Sequence, residues 1–194
     1  MSREVAKRSE LLDYSTISLP KLVAFDLDGT IWTPDMYQLW GGGAPFRLAA
    51  NAKDLLDRAG SAVRLLGVAD RILHDLHSHP ALAHVKVAWV SCTDEPEWAA
   101  ECLEKFWTAG EAEGRGRVVI GQVAHSCQIF KSNKQTHFRN LKHQYPEIDF
   151  HDMLFFDNEN YNIENVRKLG VKSYFARDGM TLKAWEEGLK MIET

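Results

Sequence analysis

At 194 residues the chain has room for one compact domain and not for two with separate cores. Hydrophobic residues at 45% and charged residues at 26% exclude disordered, collagen-like and disulfide-dense classes. A net charge of −4 offers no basic field to gather nucleic acid.

Residues 1–18 show little apolar periodicity and no run long enough for a signal sequence or a membrane span. They read as a disordered or loosely packed tail ahead of a single domain at 19–194. Cys92, Cys102 and Cys127 are odd in number and lack the close spacing of zinc or redox pairs, so a reducing, cytoplasmic setting with no membrane partner is expected.

The first strand is residues 21–25 (KLVAF), ending in the turn Asp26-Leu27-Asp28-Gly29. About thirty residues then separate Trp32 from Val63, including a short helix expected around 52–58, which is room for a flap and not for a lid domain. Within it, Trp40 beside Gly41-Gly42-Gly43 reads as a loop anchor packed on the domain, or as a weak substrate contact. Ala69, Ile72, Leu73 and Leu76 share one face of a helix. His74, His77 and His79 do not share one, so no metal site is expected and the three should face solvent. Residues 85–90 (VKVAWV) form a second strand that stops at Ser91.

Asp94-Glu95-Pro96-Glu97 resembles a capping box opening a helix with Trp98, Cys102, Leu103 and Phe106 on one face. Residues 109–118, with Gly110, Gly114 and Gly116 as turns, read as an inserted exposed loop. The stretch from Lys131 to Lys134 opens the next helix, and residues 152–156 (DMLFF) make a third strand stopping at Asp157. Gly170 stops a helix carrying Ile163 and Val166; residues 172–175 make a fourth strand. Leu182, Trp185, Leu189 and Ile192 line a last helix. Strands alternating with helices predict an α/β fold: a three-layer, doubly wound, mostly parallel sheet of Rossmann-like form with little or no cap.

In such a sheet ligands bind beyond the carboxyl ends of the strands, where the strand order reverses. The residues there are Asp26 and Asp28, Ser91, Lys134, and Asp157 with Asn158. Asp26, Asp28 and Asp157 make a hard oxygen set suited to Mg²⁺. Lys134 at a helix start and Ser91 at a strand end suit phosphate oxygens. Taken singly, each has a plain structural alternative: Asp-x-Asp-Gly is a common turn, Ser91 and Asp157-Asn158 can cap helices, and Lys134 can be a solvated lysine. The ordered series points to chemistry.

Phe25-Asp26-Leu27-Asp28-Gly29-Thr30 resembles the signature of the haloacid dehalogenase (HAD) superfamily of aspartyl phosphotransferases. Lys134-Gln135-Thr136-His137-Phe138, the run from Leu154 through Asn160 with Asn162-Ile163, and Arg177-Asp178-Gly179-Met180 extend the likeness to its magnesium-dependent phosphatase branch. The resemblance implies a Mg²⁺-dependent hydrolase of phosphomonoesters. Asp26 would be the nucleophile that forms an aspartyl-phosphate, and Asp28 the general acid and then base. Asp26, Asp28 and Asp157 would be the metal residues, with Ser91, Cys92 and Lys134 at the substrate phosphate. It implies phosphotyrosine-type or small sugar-phosphate substrates, on a phosphoprotein or a phosphorylated small molecule. Two departures stand out: Asn158 where the branch has a second Asp, and Cys92 where it tends to carry Arg. They motivate a competing reading, a phosphate- or phosphoprotein-binding module with weakened turnover. A receiver that stores an aspartyl-phosphate is a third; Asp28 speaks against both.

Overall fold

The computed structural model describes residues 11–110 and 116–193. In chain order its strands are β1 (Leu22–Phe25), β2 (Trp32–Thr33), β3 (Arg47–Leu48), β4 (Leu55–Leu56), β5 (Ala62–Leu65), β6 (Lys86–Ser91), β7 (Ser126–Ile129), β8 (Met153–Asp157) and β9 (Lys172–Phe175). The helices are α1 (Ala69–Ser78), α2 (Pro96–Lys105), α3 (Lys134–Gln144), α4 (Asn160–Arg167) and α5 (Leu182–Lys190).

Five strands form a parallel sheet in the order β7-β6-β1-β8-β9, as an α/β three-layer fold requires. The period of two along each strand divides its side chains between the sheet's faces. Val23, Phe25, Val87, Trp89, Leu154 and Phe156 join Ile72, Leu73 and Leu76 of α1, Cys102 and Leu103 of α2, and Trp185 and Leu189 of α5 in one core. Leu22, Ala24, Ala88, Val90, Met153 and Phe155 join Phe138 and Leu141 of α3 and Ile163 and Val166 of α4 in the other. β1 is buried on both faces, which is why its sequence reads as an unbroken apolar run. Among the described residues no helix is long and apolar enough to cross a membrane.

The segment after β1 is a second, antiparallel sheet in the order β2-β5-β4-β3, a flap over residues 32–65. The helix expected around 52–58 is absent. Asn51 Oδ1 accepts hydrogen bonds from the Lys53 and Asp54 backbone N–H groups, turning the chain back so that Leu55 pairs with Val63 and is buried. Trp40, expected to anchor its loop, is 84% exposed.

Other differences are local. β7, unread in the sequence, is a short edge strand whose Ser126 and Gln128 interrupt any apolar run. The capping box does not form: Glu95 is the N-cap without a side-chain bond, Pro96 opens the helix, and Asp94 pairs with Lys131 at 2.6 Å. Of the three histidines only His77 faces solvent; His79 Nδ1 accepts from Ala81 N–H, and its ring meets Tyr14 edge-on at 5.0 Å. Tyr14, in the segment read as tail, is 2% exposed: it donates to Asp75 Oδ2 at 2.9 Å and accepts from Trp185 Nε1 at 3.1 Å. Residues 1–10 lie outside the described residues, as do 111–115, and Gly114 with them. Gly116 takes the left-handed turn expected of it.

Candidate active site

β1 lies between β6 and β8, so the order reverses at β1 and the crevice opens beyond its carboxyl end. Asp26 follows β1, and its backbone N–H donates to the Phe156 carbonyl at 2.9 Å, extending the ladder by one step. Ser91 ends β6 and Asp157 ends β8. Lys134 is the first residue of α3, held there by Asn133, whose side chain caps the helix by accepting from Thr136 N–H.

Lys134 is 2% exposed and Asp157 fully buried. The ammonium group donates to Asp26 Oδ1 and to the Val90 carbonyl (2.6 Å), and lies 3.4 Å from Asp157 Oδ2. Burial alone would lower its pKa; Asp26 and Asp157 more than reverse this, so Lys134 stays charged. Asp157 moves the other way, pushed up to about 7 by burial and then by the Asp26 charge. Lys134, the Glu159 N–H at 2.7 Å and the Asn162 amide at 3.0 Å oppose that rise.

Asp28 has its own donors. Its Oδ1 accepts from Trp32 Nε1 at 2.7 Å and its Oδ2 from Met36 N–H at 3.2 Å, both donors belonging to the flap. Burial, with a contribution from Asp26, pushes its pKa up to about 7. The flap thus engages the Asp28 carboxyl, whereas Asp26 and Asp157 meet at Lys134. Among the described residues, the one group offering three ligand atoms within 4.8 Å of one another is the exposed set Asp149, His151 and Asp152.

The two departures have structural explanations. Asn158 Oδ1 accepts from Thr30 Oγ1 at 3.2 Å, and Asn158 N–H donates back to that hydroxyl at 3.0 Å. Its amide lies over Gly29, where φ is +70° and a Cβ would stand 2.2 Å from Nδ2. Asn158 thus latches the turn carrying Asp28 onto the end of β8. Cys92 is half-buried, its Sγ 3.9 Å from His137 Nδ1 and its pKa raised by burial. His137 Nε2 sits 3.1 Å from the Phe130 carbonyl, and burial and Lys134 press its pKa down to about 4. A neutral His137 donating from Nε2 can accept a hydrogen bond from the Cys92 thiol at Nδ1. Position 92 accordingly places no second cation beside Lys134 and Ser91.

Sequence reasoning gave no role to Trp32, Thr30 or Asn162, although Thr30 and Asn162 lie inside the quoted motifs and Trp32 two residues beyond the first. Their signal was a polar group four or five residues past a motif carboxylate, which spacing alone cannot assign to a partner.

The donor set fits a hard divalent cation. One ammonium shared by two buried carboxylates leaves negative charge out of water, and oxygen-only donors match Mg²⁺.

The chain is similar to several known proteins. The family model described as Acid Phosphatase matches residues 18–194. Human magnesium-dependent phosphatase 1 is 34% identical over 175 residues, covering 89% of this chain and 86% of that protein. A HAD-like hydrolase superfamily protein of Schizosaccharomyces pombe is 30% identical over 159 residues, covering 80% and 84%. The crystal structure of the N-terminal part of a Bacteroides fragilis protein, containing a phosphatase domain complexed with Mg, shares the fold. Its TM-score is 0.54 at 16% identity, over 90% of this chain and 40% of that one.

Proposed function

Because the chain belongs to the acid phosphatase family, among the HAD-like hydrolases, we propose that it is a magnesium-dependent phosphatase that hydrolyses phosphomonoesters through an aspartyl-phosphate on Asp26. The observation that carries this reading is the buried Lys134 ammonium shared by Asp26 and Asp157 at the strand-order reversal.

Asp26, Asp28 and Asp157 would hold Mg²⁺ as hard oxygen donors. The ion would offset the repulsion between Asp26 and the phosphate dianion. Asp26 attacks phosphorus in line, the bond to the leaving oxygen breaks, and Asp28 gives its proton to that oxygen. Lys134 and the Ser91 hydroxyl bind equatorial oxygens as charge shifts onto them. Water then attacks phosphorus, Asp28 takes its proton, and phosphate leaves with Asp26 regenerated. A carboxyl held near pH 7 can serve in both directions.

The flap of 32–65 is too small to enclose a substrate, which favours a phosphorylated protein side chain, phosphotyrosine included, or a small sugar phosphate. Three cysteines without a disulfide suit a cytoplasmic location.

The test is phosphate release from p-nitrophenyl phosphate, phosphotyrosine peptides and sugar phosphates, with Mg²⁺ and with EDTA. Activity should need the metal and vanish in Asp26→Asn. Asp28→Asn should let a phosphoryl adduct accumulate on Asp26, read by mass spectrometry. Turnover surviving Asp26→Asn discards the mechanism, and phosphate-analogue binding without hydrolysis of any substrate favours the binding module that Cys92 and Asn158 motivate.

A further inference from the structure

Both oxygens of the Asp28 carboxylate are held by donors from the flap, Trp32 Nε1 at 2.7 Å and the Met36 backbone N–H at 3.2 Å. A carboxylate on a turn can rotate about two torsions, and two N–H groups from one rigid element remove that freedom. Trp32 is well placed to be the rigid partner. It is fully buried, its ring stacks on Phe106 at 6.1 Å and 22°, and its strand pairs with β5. Met36 is buried too, and opens the short helical turn that follows.

Resting on the reading of Asp28 as proton donor, we propose that Trp32 is the positioning residue for proton transfer to the leaving group. Its indole N–H aims the Asp28 carboxyl, and it acts on the reaction only through Asp28. The flap then does more than border the crevice: it carries the orientation of the acid.

In the first half-reaction the bond from Asp26 to phosphorus forms and the bond from phosphorus to the leaving oxygen breaks, its electron pair going to that oxygen. The Asp28 proton goes to the same oxygen. A dinitrophenolate is stable without that proton, whereas an alkoxide is not, so misaiming the acid penalises alkyl phosphates selectively.

The experiment compares kcat/KM, which ends at the first irreversible phosphoryl transfer, for an alkyl phosphate and for dinitrophenyl phosphate at saturating Mg²⁺. Trp32→Phe keeps a ring against Phe106 and removes the donor. The ratio of alkyl to aryl kcat/KM should fall about tenfold, the scale of one hydrogen bond to a charged group. Equal losses on both substrates, or no loss on either, overturn the proposal. Benzothienylalanine at position 32 keeps the indole shape without the N–H; it should give the same fall and covers the case in which the Phe variant does not fold. Phe106→Leu disturbs the stack but keeps the donor, and should lower thermal stability without moving the ratio. Asp28→Asn separates the two levels. If it too leaves the ratio unchanged, the reading of Asp28 as the acid fails; if it lowers the ratio while the Trp32 variants do not, this proposal fails alone.

Discussion

Two acid clusters in this molecule differ in what surrounds them. Asp149, His151 and Asp152 stand at the surface with ligand atoms close together, yet each carboxylate has its own lysine: Lys142 at 2.8 Å for Asp149 and Lys21 at 2.8 Å for Asp152. Asp26 and Asp157 are out of solvent and share one lysine. Surface charge that is individually paired and hydrated makes little demand on a partner. Buried charge left short of positive partners does make one, and a divalent cation or a phosphorylated substrate with its metal can meet it. Proximity of acids alone is therefore a poor guide to a site, and burial with incomplete pairing a better one.

The largest expected effect breaks the comparison at turnover. Asp26→Asn should lower kcat by roughly a thousandfold or more, the scale of losing a nucleophile, while the double change Asp149→Asn with Asp152→Asn should alter it by less than about twofold. Comparable losses at both clusters would erase the distinction.

Stability separates the clusters next. Lys134→Met leaves two carboxylates without their shared partner and should cost about 3–5 kcal/mol in urea unfolding with EDTA at pH 8. Lys21→Met breaks an exposed pair with Asp152 and should cost at most about 1 kcal/mol. Similar midpoints for the two variants would mean that the buried cluster is better solvated than its exposure indicates.

A third test is the pH dependence of the metal-free protein. Asp157 and Asp28 both have folded-state pKa values near 7, above the ordinary carboxylate range. Protons bound in the fold favour it, so this contribution is complete below the ordinary carboxylate pKa and is lost as pH rises through about 7. The melting temperature in EDTA should therefore fall from pH 5.5 to pH 8. Mg²⁺ should raise it by a few degrees more at pH 8, where Asp157 no longer has to lose a proton to bind. Asp157→Asn should flatten both trends; a Mg²⁺ effect larger at pH 5.5 would contradict this assignment. Asp149 runs opposite, its pKa lowered by its hydrogen bond to Lys142, so its contribution is present at neutral pH and lost on acidification.

The smallest effect is expected at Asn158. Asn158→Asp keeps the acceptor for Thr30 and adds one charge near the metal residues, so Mg²⁺ should bind about fivefold tighter, as roughly 1 kcal/mol of Coulomb energy gives. Calorimetric titration reads this directly, and unchanged affinity would mean that residue 158 acts only as the latch on Thr30 and Gly29.

Much of the central sheet was legible because β1, β6 and β8 are buried on both faces and stop at polar residues, and the edge strand β9 is marked by the Arg177-Asp178-Gly179 turn that follows it. Residues 21–25, 85–90, 152–156 and 172–175 announce themselves, and Asp26, Ser91 and Asp157 follow from where those runs end. The flap's room was legible but its strands were not, because they are two to four residues long and Asn51 decides the turn through side-chain hydrogen bonds. Tyr14 was hidden for a related reason: a lone aromatic in a polar segment has no period, and its place in the core depends on Asp75 and Trp185, 61 and 171 residues away.

Sequence by itself determined which residues stand at the strand ends, since alternation, apolar runs and turn chemistry are properties of neighbours along the chain. Only the tertiary structure decided which of those residues meet. It gave Lys134 to Asp26 and Asp157 together, turned Asp28 toward Trp32 and Met36, and set Asn158 against Thr30. A carboxylate's role depends on the donors and charges within a few ångströms of it, and here packing of the flap and of α3 against the sheet brings those from distant parts of the chain.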